Sequence, residues 1–359
     1  MQTSLPDALL QTAAGQEADE ILRNCVHCGF CNATCPTYQL TGDELDGPRG
    51  RIYQIKQVLE GRQATRKTQQ HLDRCLTCRA CETTCPSGVD YHRLLDTGRD
   101  MVERSVQRSP GDRLVRRALR MLLPWPARFA PLLRMGQFVR PLLPASLKQH
   151  VPARQDCNRT APARQHARIM LLLDGCVQPS LAPQINSATV RVLDALGITA
   201  LSETNSGCCG AVSYHLNAAD EARAFMRTNI DAWWPAIEKG AEAIIVTASG
   251  CAPMVKDYGR LLAEDSAYAD KAKRVSELAR DISEIVAAEF SREAFAETGG
   301  GTRIAFHSPC TLQHGQRITG KVENILTRLG FMLTAVSNSH LCCGSAGTYS
   351  ILEPVLSSA

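Results

Sequence analysis

From about residue 166 onwards, short apolar runs alternate with longer amphipathic stretches. The apolar runs predict buried strands, and they are RIMLLLDG, GITALS, AEAIIVTASG, TRIAFHSPC and FMLTAVS. Between them, apolar residues at helical spacing predict helices over 184–196, DEARAFMRTNIDAWWPAIEKG, about 253–264, 270–295 and 316–329. Strand–helix alternation of this kind is typical of an α/β layer structure with parallel strands.

The stretch 103–150 has a different pattern, in which Leu, Met and Phe are interleaved with Arg and interrupted by Pro. It predicts a helix from about 98 to 122, followed by short irregular helices. Ten Lys and Arg against two acidic residues give the stretch a net charge of +8, and the rest of the chain sums to about −4. Two interpretations are open. One is a linker helix whose apolar face packs on its own protein; the other is a basic amphipathic dock for a partner subunit or an anionic membrane surface.

The chain has 359 residues, 44% hydrophobic and 21% charged, which is typical of a soluble globular protein of about two domains. No run reaches the ~18 apolar residues of a membrane span, and the N-terminus lacks the basic and apolar regions of a secretory signal. The formal net charge of +4 does not by itself predict nucleic-acid binding. We therefore expect a cytoplasmic protein whose 16 cysteines are metal ligands or redox groups rather than disulfides.

Eight cysteines between 25 and 85 form two copies of one run, Cys-x-x-Cys-x-x-Cys-x-x-x-Cys-Pro. This is the bacterial ferredoxin spacing, in which three cysteines of a run bind one iron–sulfur cluster and the fourth binds the other cluster. The first set of ligands is predicted to be Cys25, Cys28, Cys31 and Cys85. The second set is predicted to be Cys75, Cys78, Cys81 and Cys35. Zinc sites do not usually have this third cysteine and Cys-Pro, and a reducing compartment disfavours disulfides.

The 39 residues between the two runs are more than a minimal ferredoxin linker and include a turn followed by a helix. Arg49 and Arg51, at the start of that helix, are candidates for neutralising cluster charge or docking a partner. Solvated or carbonyl-capping arginines are the more common alternative. His27 and His71 lie close to the runs but not at ligand positions.

The C-terminal half contains an internal repeat. A shift of 134 positions places Cys310, Cys342, Cys343 and Gly344 on Cys176, Cys208, Cys209 and Gly210. Each copy reads as a strand ending in Cys, a helix, a second strand and then Cys-Cys-Gly, which indicates a duplication. The counterpart of Cys251 would be position 385, beyond the last residue given, so we expect a truncated second copy.

Vicinal cysteines in a Gly-flanked turn suit two thiolates offered to one metal centre at the strand ends. The third set is predicted to be Cys176, Cys208, Cys209 and Cys251, and the fourth set is Cys310, Cys342 and Cys343 with one ligand missing. Buried inert cysteines and a metal-free reactive dithiol are the alternatives. Cys157, in a polar Arg-rich stretch, is expected to be a free thiol.

Together, CVHCGFCNATCPTYQLTGDELDGPRGRI, CLTCRACETTCPSGVDY and the two Cys-Cys-Gly segments resemble the iron–sulfur subunits of bacterial glycolate oxidase over essentially the whole chain. Related subunits belong to anaerobic glycerol-3-phosphate dehydrogenase, lactate utilisation and heterodisulfide reductase. The resemblance implies two [4Fe–4S] clusters, cluster or cofactor binding by the Cys-Cys-Gly segments, and flavin-binding partner subunits. Family members continue past the second Cys-Cys-Gly to a further Cys-bearing segment that this sequence lacks.

The fold class expected is mixed: a mostly helical two-cluster ferredoxin-like domain (1–102), a basic linker (103–165), an α/β Cys-Cys-Gly repeat (166–300) and a second, truncated repeat (301–359). No G-x-G-x-x-G follows a strand, so the chain is expected to have no catalytic residues of its own. It would carry electrons from a glycolate-oxidising flavoprotein to a quinone or another acceptor. Lactate or glycerol-3-phosphate as the substrate, or a catalytic heterodisulfide-reductase-like subunit, are the alternatives. A peripheral position on the inner face of the cell membrane fits the basic linker.

Overall fold

A computed structural model describes residues 1–148, 151–155, 165–290, 295 and 298–359. The chain forms two compact units that do not follow chain order. The first unit contains Met1–Leu114, His307–Thr319 and Ala335–Ala359. The second contains Val115–Phe306 and Gly320–Thr334.

The N-terminal part of the first unit is helical. Its α-helices are α1 (Asp7–Leu10), α2 (Ala13–Asn24), α3 (Pro36–Thr41), α4 (Pro48–Leu59), α5 (Arg66–Asp73), α6 (Ala80–Thr84) and α7 (Tyr91–Ser105), with 3₁₀ turns at Phe30–Thr34 and Glu44–Asp46. Thr12 caps α2, and a capping box at Thr65 and Thr68 starts α5. Leu22, Ile55 and Leu94 are fully buried in the shared core. This core holds the loops that carry the two cysteine runs.

The stretch predicted as one helix from about 98 to 122 is two helices. α7 ends at Ser105, and α8 (Pro110–Leu122) begins after the break. Pro110 explains the break, because proline favours the first turn of a helix and disfavours its interior. α9 (Pro126–Val139), a 3₁₀ turn at Arg140–Leu142 and α10 (Ala145–Lys148) follow. Neither α8 nor α9 contains a buried residue.

The second unit contains a four-stranded parallel sheet in the order β2-β1-β3-β4. The strands are β1 (Arg168–Leu173), β2 (Ile198–Leu201), β3 (Ile244–Val246) and β4 (Ala279–Asp281). Its helices are α11 (Gln178–Leu181), α12 (Pro183–Ala195), α13 (Ala211–His215), α14 (Ala219–Glu238), α15 (Ala252–Lys256), α16 (Tyr258–Leu261), α17 (Ala269–Leu278) and α18 (Ile282–Glu289). Leu171 and Leu172 are both buried because β1 lies between two strands and has an apolar cluster on each face.

The helix predicted over 270–295 is interrupted. α17 ends at Leu278, β4 follows as the edge strand, and Asp281 then starts α18 through a capping box with Glu284. β4 has only three residues, so it carries no alternating pattern long enough to detect. The helix predicted over about 253–264 is likewise divided into α15 and α16.

A second, two-stranded sheet pairs β5 (Arg303–Ala305) in parallel with β6 (Met332–Thr334). α19 (Lys321–Arg328) connects these strands within the second unit. The segments that follow each strand belong to the first unit, with a π turn at Thr311–Gly315, α20 (Tyr349–Leu352) and α21 (Pro354–Ser358). None of the helices that the structure describes has the length and apolarity of a membrane span.

Candidate metal centres

The four cysteines of the first set line one cavity. Cys25 is buried, Cys31 and Cys85 are partly exposed, and Cys28 is exposed. Burial is the main reason that the pKa of Cys31 is raised to about 11, and the neighbouring thiols Cys25 and Cys85 raise it further. The cysteine from the second run therefore lies among the three from the first run.

The four cysteines of the second set line another cavity. Cys35, Cys78 and Cys81 are buried and Cys75 is partly exposed. Cys81 also lines the cavity of the first set. Burial, with Cys75 and Cys35 nearby, raises the pKa of Cys78 and Cys81 well above the usual thiol value. These thiols must lose their protons to bind metal, so loading the site releases protons.

The two cysteine runs have the same unusual backbone geometry around their second cysteine. In the first run, His27 and Gly29 flank Cys28 with positive φ angles of 59° and 87°. In the second run, the residues flanking Cys78 have positive φ angles of 54° and 61°. Three of these four residues are not glycine, and left-handed backbone costs such residues energy. A repeated strained conformation at equivalent positions is typical of loops built to hold a ligand.

The spacing of the sulfur atoms distinguishes a cluster from a single ion. Tetrahedral zinc, with Zn–S bonds of about 2.3 Å, requires ligand sulfurs roughly 3.8 Å apart. Among the described residues, no three thiols have sulfur atoms within 4.8 Å of one another. A cuboidal cluster spaces its thiolates more widely, because each one binds a different iron. The described cysteines are also all free of disulfides. The thiols of the first and second sets therefore lack the close grouping that one tetrahedral ion requires, and they fit iron–sulfur clusters.

A buried polar network lies beside the second set. Asp46 is fully buried, and its carboxylate accepts hydrogen bonds from Arg74 at 2.9 Å and lies 2.8 Å from Nδ1 of His71. Arg51 is also fully buried, 3.7 Å from the same carboxylate, and lines the cavity of the second set. Of the alternatives open for Arg51 from the sequence, a solvated arginine is therefore wrong. Arg49 is partly exposed and pairs with Glu44 at 2.6 Å.

The fourth set also lies in the first unit, next to the second set. Cys310 and Cys342 pack against Cys78 in one apolar cluster, and their sulfur atoms are 3.6 Å apart. A hydrogen bond from Cys310 lowers the pKa of Cys342 to about 7. His314 is hydrogen-bonded to Thr83 (2.8 Å), and Tyr349 donates to the Arg74 carbonyl (3.2 Å). These bonds connect the C-terminal segments to the N-terminal part of the first unit. Cys343 is exposed.

The third set lies in the second unit, after the carboxyl ends of β1, β2 and β3. Cys176, Cys208 and Cys209 are buried and Cys251 is partly exposed. Consecutive members are within hydrogen-bonding distance of each other, and the bond to Cys208 together with burial raises the pKa of Cys176. Ligands at the carboxyl ends of parallel strands are brought to one edge of the sheet.

Two residues that sequence reasoning did not identify hold the third set's turn. Asn229 donates to the Cys208 carbonyl at 2.8 Å and accepts from the Gly207 N–H at 2.8 Å. Tyr258 donates to the Cys209 carbonyl at 2.9 Å. A polar Asn on the buried face of the α14 pattern was the available signal. Cys157, expected to be a free thiol, lies outside the described residues.

Two protein families match segments of the chain. A 4Fe-4S dicluster domain matches residues 21–89, which carry both cysteine runs. A cysteine-rich domain matches residues 170–256 and 304–359, which carry the third and fourth sets.

The chain is 57% identical over 356 residues to the glycolate oxidase iron-sulfur subunit of Escherichia coli (strain K12), covering 99% of this chain and 87% of that protein. It is 28% identical to the probable glycolate oxidase iron-sulfur subunit of Bacillus subtilis (strain 168), covering 94% and 81%. Lactate utilization protein A of Anoxybacillus flavithermus is 27% identical over 49% of this chain and 72% of that protein.

Proposed function

The chain belongs to the family of glycolate oxidase iron–sulfur subunits, and from that premise we propose that it carries electrons away from a partner that oxidises glycolate to glyoxylate. The observation that carries the proposal is the pair of cavities in the first unit, each lined by the four thiols of one set. A [4Fe–4S] cluster in such a site accepts and donates single electrons. The eight cysteines of these two sets are the proposed ligands.

We propose that the flavin is on a partner subunit. Removal of hydride from a 2-hydroxy acid needs a flavin or a nicotinamide, and no G-x-G-x-x-G follows a strand in this sequence. Cys28 is exposed, and the neighbouring Val26 and Phe30 are 67% and 63% exposed. The first set is therefore the proposed entry point for electrons from the partner.

A further iron–sulfur centre is proposed at the third set, and an incomplete one at the fourth set. This proposal includes the duplication of the Cys-Cys-Gly segment and the domain limits 1–102, 103–165, 166–300 and 301–359. Both family matches to the cysteine-rich domain contain a parallel strand pair and a Cys-Cys-Gly turn. The contact between Cys78 and the fourth set supports electron passage from the second set towards Cys310 and Cys342.

We propose that the segment 115–143 binds an anionic membrane surface on the cytoplasmic side, where a quinone can accept the electrons. Phe138 and Leu142 are 85% and 86% exposed, and Met135 is 62% exposed. Arg128 and Arg134 lie on the same segment, which has no acidic residue. Exposed apolar side chains with basic neighbours are the chemistry that an anionic interface attracts.

Vesicle co-sedimentation tests the membrane proposal. The wild type should sediment with vesicles of phosphatidylglycerol and phosphatidylcholine, but not with phosphatidylcholine alone, and salt should weaken the binding. Phe138→Ser with Leu142→Ser should abolish it, whereas Val355→Ser, an exposed apolar residue elsewhere, should not. Equal binding to both vesicle types, or a stable complex of this surface with the flavoprotein instead, would contradict the proposal.

The central experiment is anaerobic reconstitution of the full chain with iron and sulfide. We expect about eight irons in the first and second sets together, with broad visible absorption that bleaches on reduction. Glycolate should bleach it only when the flavoprotein partner is added. Bleaching by lactate or glycerol-3-phosphate, but not by glycolate, would identify one of these as the partner's substrate instead. Substrate turnover by the chain alone would support the heterodisulfide-reductase-like alternative, and fewer than about eight irons would contradict two cubane clusters.

A further inference from the structure

The guanidinium of Arg51 is placed inside the wall of the second set's cavity. Its Nε donates to the His71 carbonyl at 2.7 Å, and its Nη2 donates to Oγ1 of Thr37 at 3.2 Å. Oγ1 of Thr37 donates to the Asp46 carbonyl at 2.9 Å and lies 3.2 Å from Sγ of Cys35. One side chain, that of Thr37, therefore separates the cation from a proposed ligand sulfur.

Charged groups of both signs surround this cavity. Arg51 and Arg74 pair with Asp46, Arg79 lines the cavity, and Arg99 donates to the Cys75 carbonyl at 3.0 Å. The carboxylates are Asp46 with Asp43 beside it, and Glu82 with Asp90 beside it. Of the arginines, Arg51 is fully buried and lines the cavity, so water screens its charge least.

Reduction of a cluster adds one electron and one unit of negative charge. A fixed cation in a water-poor site stabilises the reduced form more than the oxidised form. We propose that the positive charge of Arg51 raises the reduction potential of the second-set cluster. An electron that reaches this cluster is then retained next to Cys310 and Cys342. This inference rests on the proposed function.

Arg49 provides a matched comparison on the same helix. It lies two residues earlier in α4, over the first run's loop, where its Nη1 is 2.7 Å from the position that a Cβ on Gly29 would take. Glu44 pairs with it at 2.6 Å, and both side chains are more than a third exposed, Glu44 at 39% and Arg49 at 35%. A neutralised and solvated pair should influence the nearby cluster far less than a buried cation.

The test is a reductive titration of the reconstituted full chain with dithionite, followed by electron paramagnetic resonance. Cys28→Ala, which removes a ligand of the first set, identifies the signal of the second set. Arg51→Gln should lower the equilibrium constant for one-electron reduction of the second-set cluster at least tenfold, which is about 59 mV. Arg51→Lys should shift it less than Arg51→Gln does, because lysine offers a positive charge but not the planar guanidinium. Arg49→Gln should change neither cluster by more than about threefold.

A variant of opposite charge separates the electrostatic role from a structural one. Asp46→Asn removes a negative charge from the same network, so it should raise the potential, whereas general loosening of the site would shift both variants in one direction. An unchanged second-set potential in Arg51→Gln, or a shift of the same sign in Asp46→Asn, would overturn the proposal. If Arg51→Gln does not retain about eight irons, the sign of the shift in Asp46→Asn decides the question.

Loss of the second-set cluster in Arg51→Gln, Arg51→Lys and Asp46→Asn would also overturn the proposal, because the network would then be needed for cluster assembly and not for setting the reduction potential. The wild-type measurement keeps the two proposals apart. Fewer than two clusters in the wild type would contradict the proposed function. Two clusters in the wild type with an unshifted second-set potential in Arg51→Gln would contradict only this inference.

Discussion

The first and second sets are built from the same cysteine run, yet their surroundings differ. One of the four cysteines in the first set is buried, against three of four in the second set. The charged residues beside the first set, Arg49 and Glu44, are partly exposed and paired with each other. Those beside the second set, Arg51 and Asp46, are fully buried. Equal local spacing therefore produces similar loop backbones but different electrostatic environments.

The difference comes from elements outside the runs. α4 presents Arg51 to the second set and Arg49 to the first, because the helix crosses between them. Gly50 allows α4 to begin there, since a Cβ at this position would lie 2.1 Å from the Glu44 carbonyl oxygen. Two sites with the same motif can in this way have different surroundings, one partly exposed and one enclosed.

The largest expected effect is the loss of one whole cluster. Cys35→Ala, in the first run, should remove the cluster of the second set, and Cys85→Ala, in the second run, should remove that of the first. Each variant should lose about four of the eight irons of the first and second sets, because each removes one ligand of one cubane. Iron analysis and the resonance signal of the surviving cluster check this. Loss of the first-set signal in Cys35→Ala would refute the crosswise grouping.

Removal of iron by a chelator should reflect the difference in burial between the first and second sets. With a chelator under anaerobic conditions, the reconstituted chain should lose the irons of the first and second sets in two phases of about four irons each. The exposed Cys28 side should release its cluster first, and the second-set signal should persist longer. Visible absorption and resonance spectra taken during chelation measure the order. A single phase, or earlier loss of the second-set signal, would contradict it.

Asp46→Asn should destabilise the first unit by roughly 3–5 kcal/mol, because it leaves buried cations without their counter-charge. Denaturant unfolding of the reconstituted chain measures the change. Asp100→Asn is the matched control, since Asp100 pairs with Arg104 at the surface and should contribute no more than about 0.5 kcal/mol. Equal effects from the two variants would mean that the buried network does not matter for stability.

Gly98→Ala should destabilise the first unit by roughly 1–3 kcal/mol, the cost of overpacking a core. A Cβ at Gly98 would lie 2.6 Å from Ile55, so α7 and α4 would be pushed apart. Gly111→Ala, with nothing within 4 Å of its Cβ, is the control and should be neutral or slightly stabilising. Thermal unfolding followed by circular dichroism compares them. A neutral Gly98→Ala would show that α4 can shift freely, and Arg51 with it.

Much of the second unit could be predicted from its hydrophobic pattern. β1 and α14 are long enough to show their period, and both are present at about the expected limits. β4 was missed because three residues carry no period, and the helix over 98–122 was wrong because an apolar–basic pattern continues across the break at Pro110. The roles of Asn229 and Tyr258 could not be predicted, because each contacts a turn more than 20 residues away.

By itself, the sequence determined which cysteines belong to repeated local motifs and which chemistry those motifs suit, because ligand spacing within a tight loop depends on a few neighbouring residues. Only the tertiary structure decided that Arg51, and not Arg49 two residues earlier, loses contact with water. It also decided that Cys310 and Cys342 pack beside Cys78, more than 230 residues earlier in the chain. Burial and long-range contact depend on how whole helices pack, and the pattern of one segment does not contain that information.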